Sequence, residues 1–325
     1  MSTVISTPPT LASSTIPVAK TGLGQRMWRS FRRTWQLYLL IALPVIWTVI
    51  FSYLPMWGIQ IAFKNYNLRD GINGSPWVGL KNFHQFFDSY QFWPLIRHTL
   101  VLNIYSLIAG FPLPIVLALA LNYVSKRWFK QTVQMVSYAP HFISTVVIVG
   151  LLFQFVDVNG LVNQLLGLVG IGPIRFMSEV KYWDSLYVWS GVWQSVGWGA
   201  IIYLAALAGV DPTLHEAAIV DGATKIQRMR DIDLPGIIPV AVILLILNMG
   251  SLLRSGFEKV ILMQNSLNMN KTEVIDSYVY HIGLQAPLPQ YSFATAIGLF
   301  ASLIGLILLF TANAISRRVS DSSLW

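Results

Sequence analysis

Charge-free apolar runs dominate the chain. Six stretches, 34–63, 98–125, 131–156, 185–210, 234–253 and 277–316, contain no Asp, Glu, Lys or Arg. Each reaches the roughly 20 residues that a helix needs to cross a bilayer. None alternates with a period of two, and backbone N–H and C=O groups cannot stay unpaired in lipid, so the pattern predicts helices rather than barrel strands. The expected fold is all-α, a polytopic bundle of six transmembrane helices. A further apolar stretch, 158–174, is interrupted by Asn159, Gly160, Asn163, Gly167, Gly170 and Gly172. It reads as an interfacial or re-entrant helix, with a seventh span as the alternative.

The polar remainder divides the chain. Residues 1–35 are rich in Ser, Thr and Pro and then basic, with Lys20, Arg26, Arg29, Arg32 and Arg33, and read as a disordered tail. The membrane domain is expected at 36–316, with a polar loop at 210–236 and a short end at 317–325. The apolar run after the tail is too long for a signal-peptide core and should remain as a span.

Composition supports this reading, because charged residues make up 11% of the chain against about 25% in a typical soluble domain. The net charge of +8 would raise nucleic acid as a partner of a soluble protein. Here the bases mark topology instead. Thirteen Lys and Arg lie in 1–35, 123–132, 210–236 and 317–325, against eight in 57–94, 157–182 and 254–290. Because Lys and Arg concentrate on the cytoplasmic side, both termini and the loop 210–236 are predicted to be cytoplasmic. Trp35, Tyr38, Trp57, Tyr182, Trp183 and Tyr291 near the run ends suit the headgroup belt, or simple packing. The absence of Cys excludes disulfides and thiolate metal sites.

The most informative stretch runs from Val210 to Pro239. Asp211 is a good N-cap and Pro212 a good first helical residue, so a short helix should pass through Glu216, Ala217 and Ala218. Gly222 should end it, since Gly tolerates positive φ. On physics alone this is an exposed helical elbow that could be a mere connector. Its residues, however, match the EAA loop of ABC importer permeases: Glu216-Ala217-Ala218, Asp221-Gly222-Ala223, Ile232, Leu234 and Pro235 all keep that loop's spacing. The chain therefore resembles the maltose-type branch of these bacterial permeases, in particular the LplB-like carbohydrate group and the alginate-importer permeases. Further carriers of the resemblance are the segments 51–56, 62–67, 77–83, 276–284 and 294–300.

The resemblance implies a multi-pass protein of the bacterial inner membrane that imports an oligosaccharide by alternating access. It implies a second homologous permease, two cytoplasmic ATPase subunits that dock on the loop, and an extracytoplasmic solute-binding protein. Glu216, Ala217, Ala218, Asp221, Gly222, Ala223, Leu234 and Pro235 would form the ATPase joint. Loop 57–94, with Trp57, Tyr66, Trp77, Phe83, Phe86 and Phe87, is a candidate platform for the binding protein, or an aromatic membrane anchor.

No Gly-x-x-x-x-Gly-Lys-[Ser/Thr] loop occurs, so ATP and Mg are expected on a partner chain and no cofactor on this one. Carboxylates are missing from all six runs, which argues against the alternative of an ion-coupled carrier or channel. His84, His98, His141, His215 and His281 show no metal spacing, and no catalytic constellation is visible.

A sugar offers hydroxyls to hydrogen-bond and an apolar ring face to stack on. Polar and aromatic residues of that kind recur in span four, at Trp193, Gln194, Ser195 and Trp198, and in span five, at Asn248, Ser251 and Ser255. Each could equally be interhelical glue. Carried across from the family, the sugar-contacting positions are Ser195, Trp198, Asn248, Leu252 and Ser255. Leu252 departs from the polar type expected there. Arg175, Lys181, Arg254, Lys259 and Lys271 would face outward, either as solvated loop charge or as attraction for an acidic sugar.

Overall fold

The computed structural model describes residues 23–319, with side chains for 33–318. Residues 1–22 of the expected tail and 320–325 of the expected end lie outside the described residues. Among the described residues the fold is helical throughout and contains no β-strand. Five helices are long and apolar enough to cross a membrane: Arg33–Phe63, Phe92–Asn122, Thr145–Leu168, Lys225–Gly250 and Tyr291–Arg318. A sixth, Val180–Leu207, passes together with Pro212–Val220, to which it is joined at a bend of 77°. The all-α bundle expected from run lengths is present.

The chain divides into two units, Met1–Gly58 and Ile59–Trp325. In the first, a helix occupies Leu23–Thr48 and leads into a π-helical turn at Val49–Tyr53. Thr34 interrupts it with φ −122°. The basic residues before this kink are therefore helical from Leu23 onward, which corrects the disordered tail at 23–35.

In the second unit the organising element is Val180–Leu207, which packs on Phe92–Asn122, Arg127–Tyr138 and Leu234–Gly250. Lipid tails are as apolar as leucine, so helices in a membrane are held by close packing and hydrogen bonds rather than by exclusion from water. Small residues make that packing possible here. A Cβ added to Gly197 would lie 2.1 Å from the Ser137 carbonyl oxygen, and one added to Gly305 would lie 2.5 Å from the Gly250 carbonyl oxygen. At these two crossings backbone rests on backbone. Leu102, Val149, Trp183, Val188, Val260 and Met263 fill one core cluster, and Phe86, Leu95, Ile275, Phe293 and Ile297 fill a second.

Several boundaries differ from the run lengths. The run 131–156 is broken into Arg127–Tyr138, a 3-10 turn at Ala139–Phe142, and Thr145–Val156. Pro140 lacks the N–H that would continue the first piece, and Ser144 caps the second by accepting from Val147 N–H at 3.4 Å. The run 277–316 is likewise not one helix. Ile275–Tyr280 and the π turn His281–Gln285 stop before Pro287 and Pro289, and the long helix begins only at Tyr291. Uncharged composition alone does not reveal such breaks.

In the stretch 158–174 the helix is only Leu161–Leu168, about 12 Å long, which excludes a seventh span. Asn163 closes this excursion by donating to the carbonyls of Asp157 at 2.7 Å and Ile174 at 2.9 Å. Trp183, expected in the headgroup belt, is fully buried and donates from Nε1 to the Met263 carbonyl at 3.2 Å. Phe86 of the loop 57–94 is also buried, against Phe92, Phe293 and Phe300, so it offers no docking surface.

The crossing at Gly197 gives a direct prediction. Gly197→Ala should destabilise the purified protein by about 1–3 kcal/mol or more, because the opposing atom is backbone. Gly150→Ala, where a Cβ meets nothing within 4 Å, should unfold at or slightly above the wild-type temperature. Thermal unfolding in detergent or nanodiscs distinguishes the two, and equal midpoints would contradict the close-contact account.

Candidate functional site

The loop 210–236 folds as an elbow with both ends of its short helix locked. Asp211 caps Pro212–Val220 by accepting from Thr213 N–H at 2.9 Å, and that bond holds its carboxyl below the usual range. Gly222, at φ +79°, ends the helix. Its N–H donates to the Ile219 carbonyl at 3.1 Å, and Ala223 N–H donates to the Ala218 carbonyl at 2.8 Å. This double closure is a Schellman motif, and the left-handed residue it needs is the glycine. Thr224 and Gln227 then form a capping box that starts Lys225–Arg228, which runs through a π turn at Met229–Asp233 into Leu234–Gly250. Leu214, Ile219, Val220 and Ile226 are all exposed on this elbow, Val220 to 87%.

A buried carboxylate ties the elbow to the bundle. Asp233 is fully buried and accepts from the Tyr123 hydroxyl at 2.6 Å. Its other oxygen faces His215 Nε2 at 3.2 Å, an electrostatic contact not aligned as a hydrogen bond. Arg228 lies over the Tyr123 ring at 5.8 Å. Burial and then the Asp233 carboxylate push the Tyr123 hydroxyl up to about 12. Three elements meet at this point: the end of Phe92–Asn122, the short helix of the elbow through His215, and the start of the helix that follows.

A cavity of about 440 Å³ lies within the bundle. Its wall is three helix stripes, each spaced by three or four residues so that one face is presented. The second span contributes Asn103, Ser106, Gly110 and Pro114, the fourth Ser195, Trp198 and Ile202, and the fifth Leu244, Asn248 and Ser251. Leu252 and Arg254 add to the lining beyond the fifth span. Trp198 is backed by His141 from the 3-10 turn, with the rings stacked at 4.5 Å and 5°. Asn248 donates to the Leu244 carbonyl at 2.7 Å, Ser195 to the Gly191 carbonyl at 2.8 Å, and Ser251 to the Asn248 carbonyl at 3.0 Å. Among the described residues no three His, Cys, Asp or Glu side chains are grouped to hold a metal.

Comparison with known proteins settles the family. Residues 110–321 match the family described as "Binding-protein-dependent transport system inner membrane component". The chain belongs to this family. LplB of Bacillus subtilis (strain 168) is 41% identical over 310 residues, covering 95% of this chain and 97% of that one. The polygalacturonan/rhamnogalacturonan transport system permease YteP of the same organism is 43% identical over 290 residues, covering 89% and 90%. In the crystal structure of a bacterial ABC transporter for import of the acidic polysaccharide alginate, one chain superimposes with a TM-score of 0.82. It is 38% identical, and the match covers 91% of this chain and 99% of that one. A chain of a bacterial alginate ABC transporter in complex with alginate pentasaccharide-bound periplasmic protein gives 0.83 at 37% identity, covering 92% and 100%.

An inner-membrane permease of an ABC importer, with the elbow inside the matched segment, replaces the ion-coupled alternative. The fold of this permease gathers Ser195, Trp198, Asn248 and Leu252 around one cavity. Two residues placed on the same pathway are elsewhere. Gln194 donates to the Ile143 carbonyl at 3.0 Å across the broken third span, and Ser255 accepts from Asn103 at 2.8 Å. Both act as ties between segments. Sequence reasoning passed over the second span, whose Asn103, Ser106 and Gly110 line the cavity, although their spacing of three and four residues in an apolar run was a visible signal.

The junction at Asp233 yields a double-mutant test. Tyr123→Phe leaves a buried carboxylate oxygen without its donor and should cost about 1–3 kcal/mol of stability. Tyr123→Phe combined with Asp233→Asn should cost less than the sum of the two single changes, by about 0.5–3 kcal/mol. Strict additivity in thermal unfolding would show that the two side chains do not depend on each other.

Proposed function

We propose that this permease is one of two homologous membrane halves of a carbohydrate importer, each resting through its elbow on a cytoplasmic ATPase subunit that binds ATP and Mg. The observation that carries this is the elbow itself. A nine-residue helix locked at both ends nevertheless leaves Leu214, Ile219 and Val220 exposed, an apolar surface that a protein partner would cover. Glu216, Ala217, Ala218, Asp221, Gly222, Ala223, Leu234 and Pro235 are assigned to that joint. The Lys and Arg distribution supports cytoplasmic termini and a cytoplasmic elbow, and so sets the turn at 251–256 facing outward, where a solute-binding protein delivers substrate.

The substrate class follows from chemistry and kinship together. An aromatic face at Trp198, the amides of Asn103 and Asn248, and the hydroxyls of Ser106, Ser195 and Ser251 suit an oligosaccharide. Relatives named for polygalacturonan and alginate support an oligosaccharide, and the second of these polymers is acidic. Transport is by alternating access: ATP binding favours one arrangement of the two halves and hydrolysis the other.

Two variants test the two parts of this reading. Gly222→Asp strains a left-handed residue and adds bulk at the joint, and should abolish substrate-stimulated ATPase activity in the assembled complex while the permease still inserts and unfolds normally. Full stimulation would remove the coupling role. Trp198→Ala should reduce uptake about tenfold, from the loss of about 1.5 kcal/mol of stacking, with assembly unchanged. Wild-type uptake would place the sugar path elsewhere.

A further inference from the structure

Arg254 is the only charged side chain lining the cavity, and among the described residues no ion pair includes it. The lining contains no carboxylate. A long cation at the end of a span is ordinarily solvated loop charge, but two features set this one apart.

The first is the turn that carries it. Arg254 N–H donates to the Ser251 carbonyl at 2.8 Å. The next residue, Ser255, is held from three sides: its Oγ accepts from Asn103 at 2.8 Å, its N–H donates to Asp276 Oδ2 at 2.9 Å, and its carbonyl accepts from the Tyr187 hydroxyl at 2.5 Å. The second span, the fourth span and the helix Ile275–Tyr280 thus fix the backbone under Arg254 and leave its guanidinium free. Asp276 is engaged through Oδ2 with the Ser255 N–H, and Glu258, the other acid near this turn, forms no ion pair with Arg254. The second feature is Lys259, whose Nζ donates to the Tyr187 carbonyl at 2.8 Å and lies 4.8 Å from the Tyr187 ring centroid, with no carboxylate partner. Burial pushes Lys259 down to about 8. Two cations without ion-pair partners therefore adjoin one fixed turn.

We propose that Arg254 reads the carboxylate of an acidic oligosaccharide in the cavity, through the forked hydrogen bonds that a guanidinium offers a carboxylate. This rests on the assignment of the cavity as the sugar path. Stacking on Trp198 and bonds to amides and hydroxyls serve any sugar ring. Only Arg254 separates a uronate from its neutral counterpart. Lys259, tied to a carbonyl, adds positive field without touching the ligand.

The test uses the assembled importer in proteoliposomes with saturating, ligand-loaded binding protein. The probes are an oligouronate of two to five sugars and the same oligosaccharide with its carboxyls reduced to neutral hydroxymethyl groups. Because the binding protein is identical in both arms, the ratio of variant to wild-type rate isolates the permease. Arg254→Gln should lower oligouronate uptake about tenfold or more and leave the reduced sugar within about twofold of wild type, and Arg254→Lys should fall between. Equal losses for both sugars would make Arg254 a structural part of the turn, and no loss for either would make it loop charge. A wild-type importer that takes up only the reduced sugar would also overturn the proposal. Trp198→Ala run in parallel separates the two levels: loss of both sugars with Trp198→Ala, but no discrimination by Arg254→Gln, keeps the path and discards its carboxylate reader.

Discussion

The second unit of this permease depends on backbone meeting backbone at glycine. In lipid there is no solvent to drive apolar helices together, so contact distance decides whether they associate. Gly197 lies directly under the Ser137 carbonyl, and Gly305 under that of Gly250. The first contact joins the fourth span to the broken third, and the second joins the fifth to the sixth. At Gly199 the contact is looser and made by a side chain, with the Pro114 ring 3.1 Å from a would-be Cβ.

The same geometry makes the cavity. Beside the close contact at Gly197, Trp198 lines the cavity together with Leu244 and Asn248 of the fifth span. The break in the third span contributes as well. The 3-10 segment places His141 flat against Trp198 and Phe142 edge-on to it. In the wall, Ser195, Asn248 and Ser251 bond to carbonyls three or four residues earlier and Asn103 bonds across to Ser255, which is how polar groups are tolerated in a low-dielectric setting, whereas Ser106 Oγ is buried without a protein partner among the described residues. Carboxamide and hydroxyl oxygens remain for a ligand.

At the other end of the fifth span, the elbow has both ends of its short helix closed and leaves Leu214, Ile219 and Val220 exposed. Its helix is closed by Asp211 and Gly222, and its far side is continuous with the fifth span through the π turn that carries Asp233. That buried carboxylate also holds Tyr123 at the foot of the second span. The elbow is therefore tied to two of the three helices that line the cavity. Buried charge is an expensive way to join elements, and removing one member is more damaging than never having built the group. Such a junction behaves as one unit.

Run length, charge placement and the elbow motif were legible in the chain because each is a local property: lipid forbids charge along a span, and a Schellman closure needs its glycine at one fixed position. Glu216 to Pro235 could be read in order for that reason, and so could the all-α bundle. Breaks at Pro140 and before Tyr291 were less legible, since apolar composition carries no record of where backbone bonds are interrupted. What only the tertiary structure decided is which polar residues face one another. Gln194 and Ser195 are neighbours in sequence, yet 100° of helical rotation turns one toward Ile143 and the other into the cavity. Asn103, Ser106 and Arg254 join Trp198 and Asn248 only because distant helices cross at small residues. Facing is a relation between segments, and no single segment contains it.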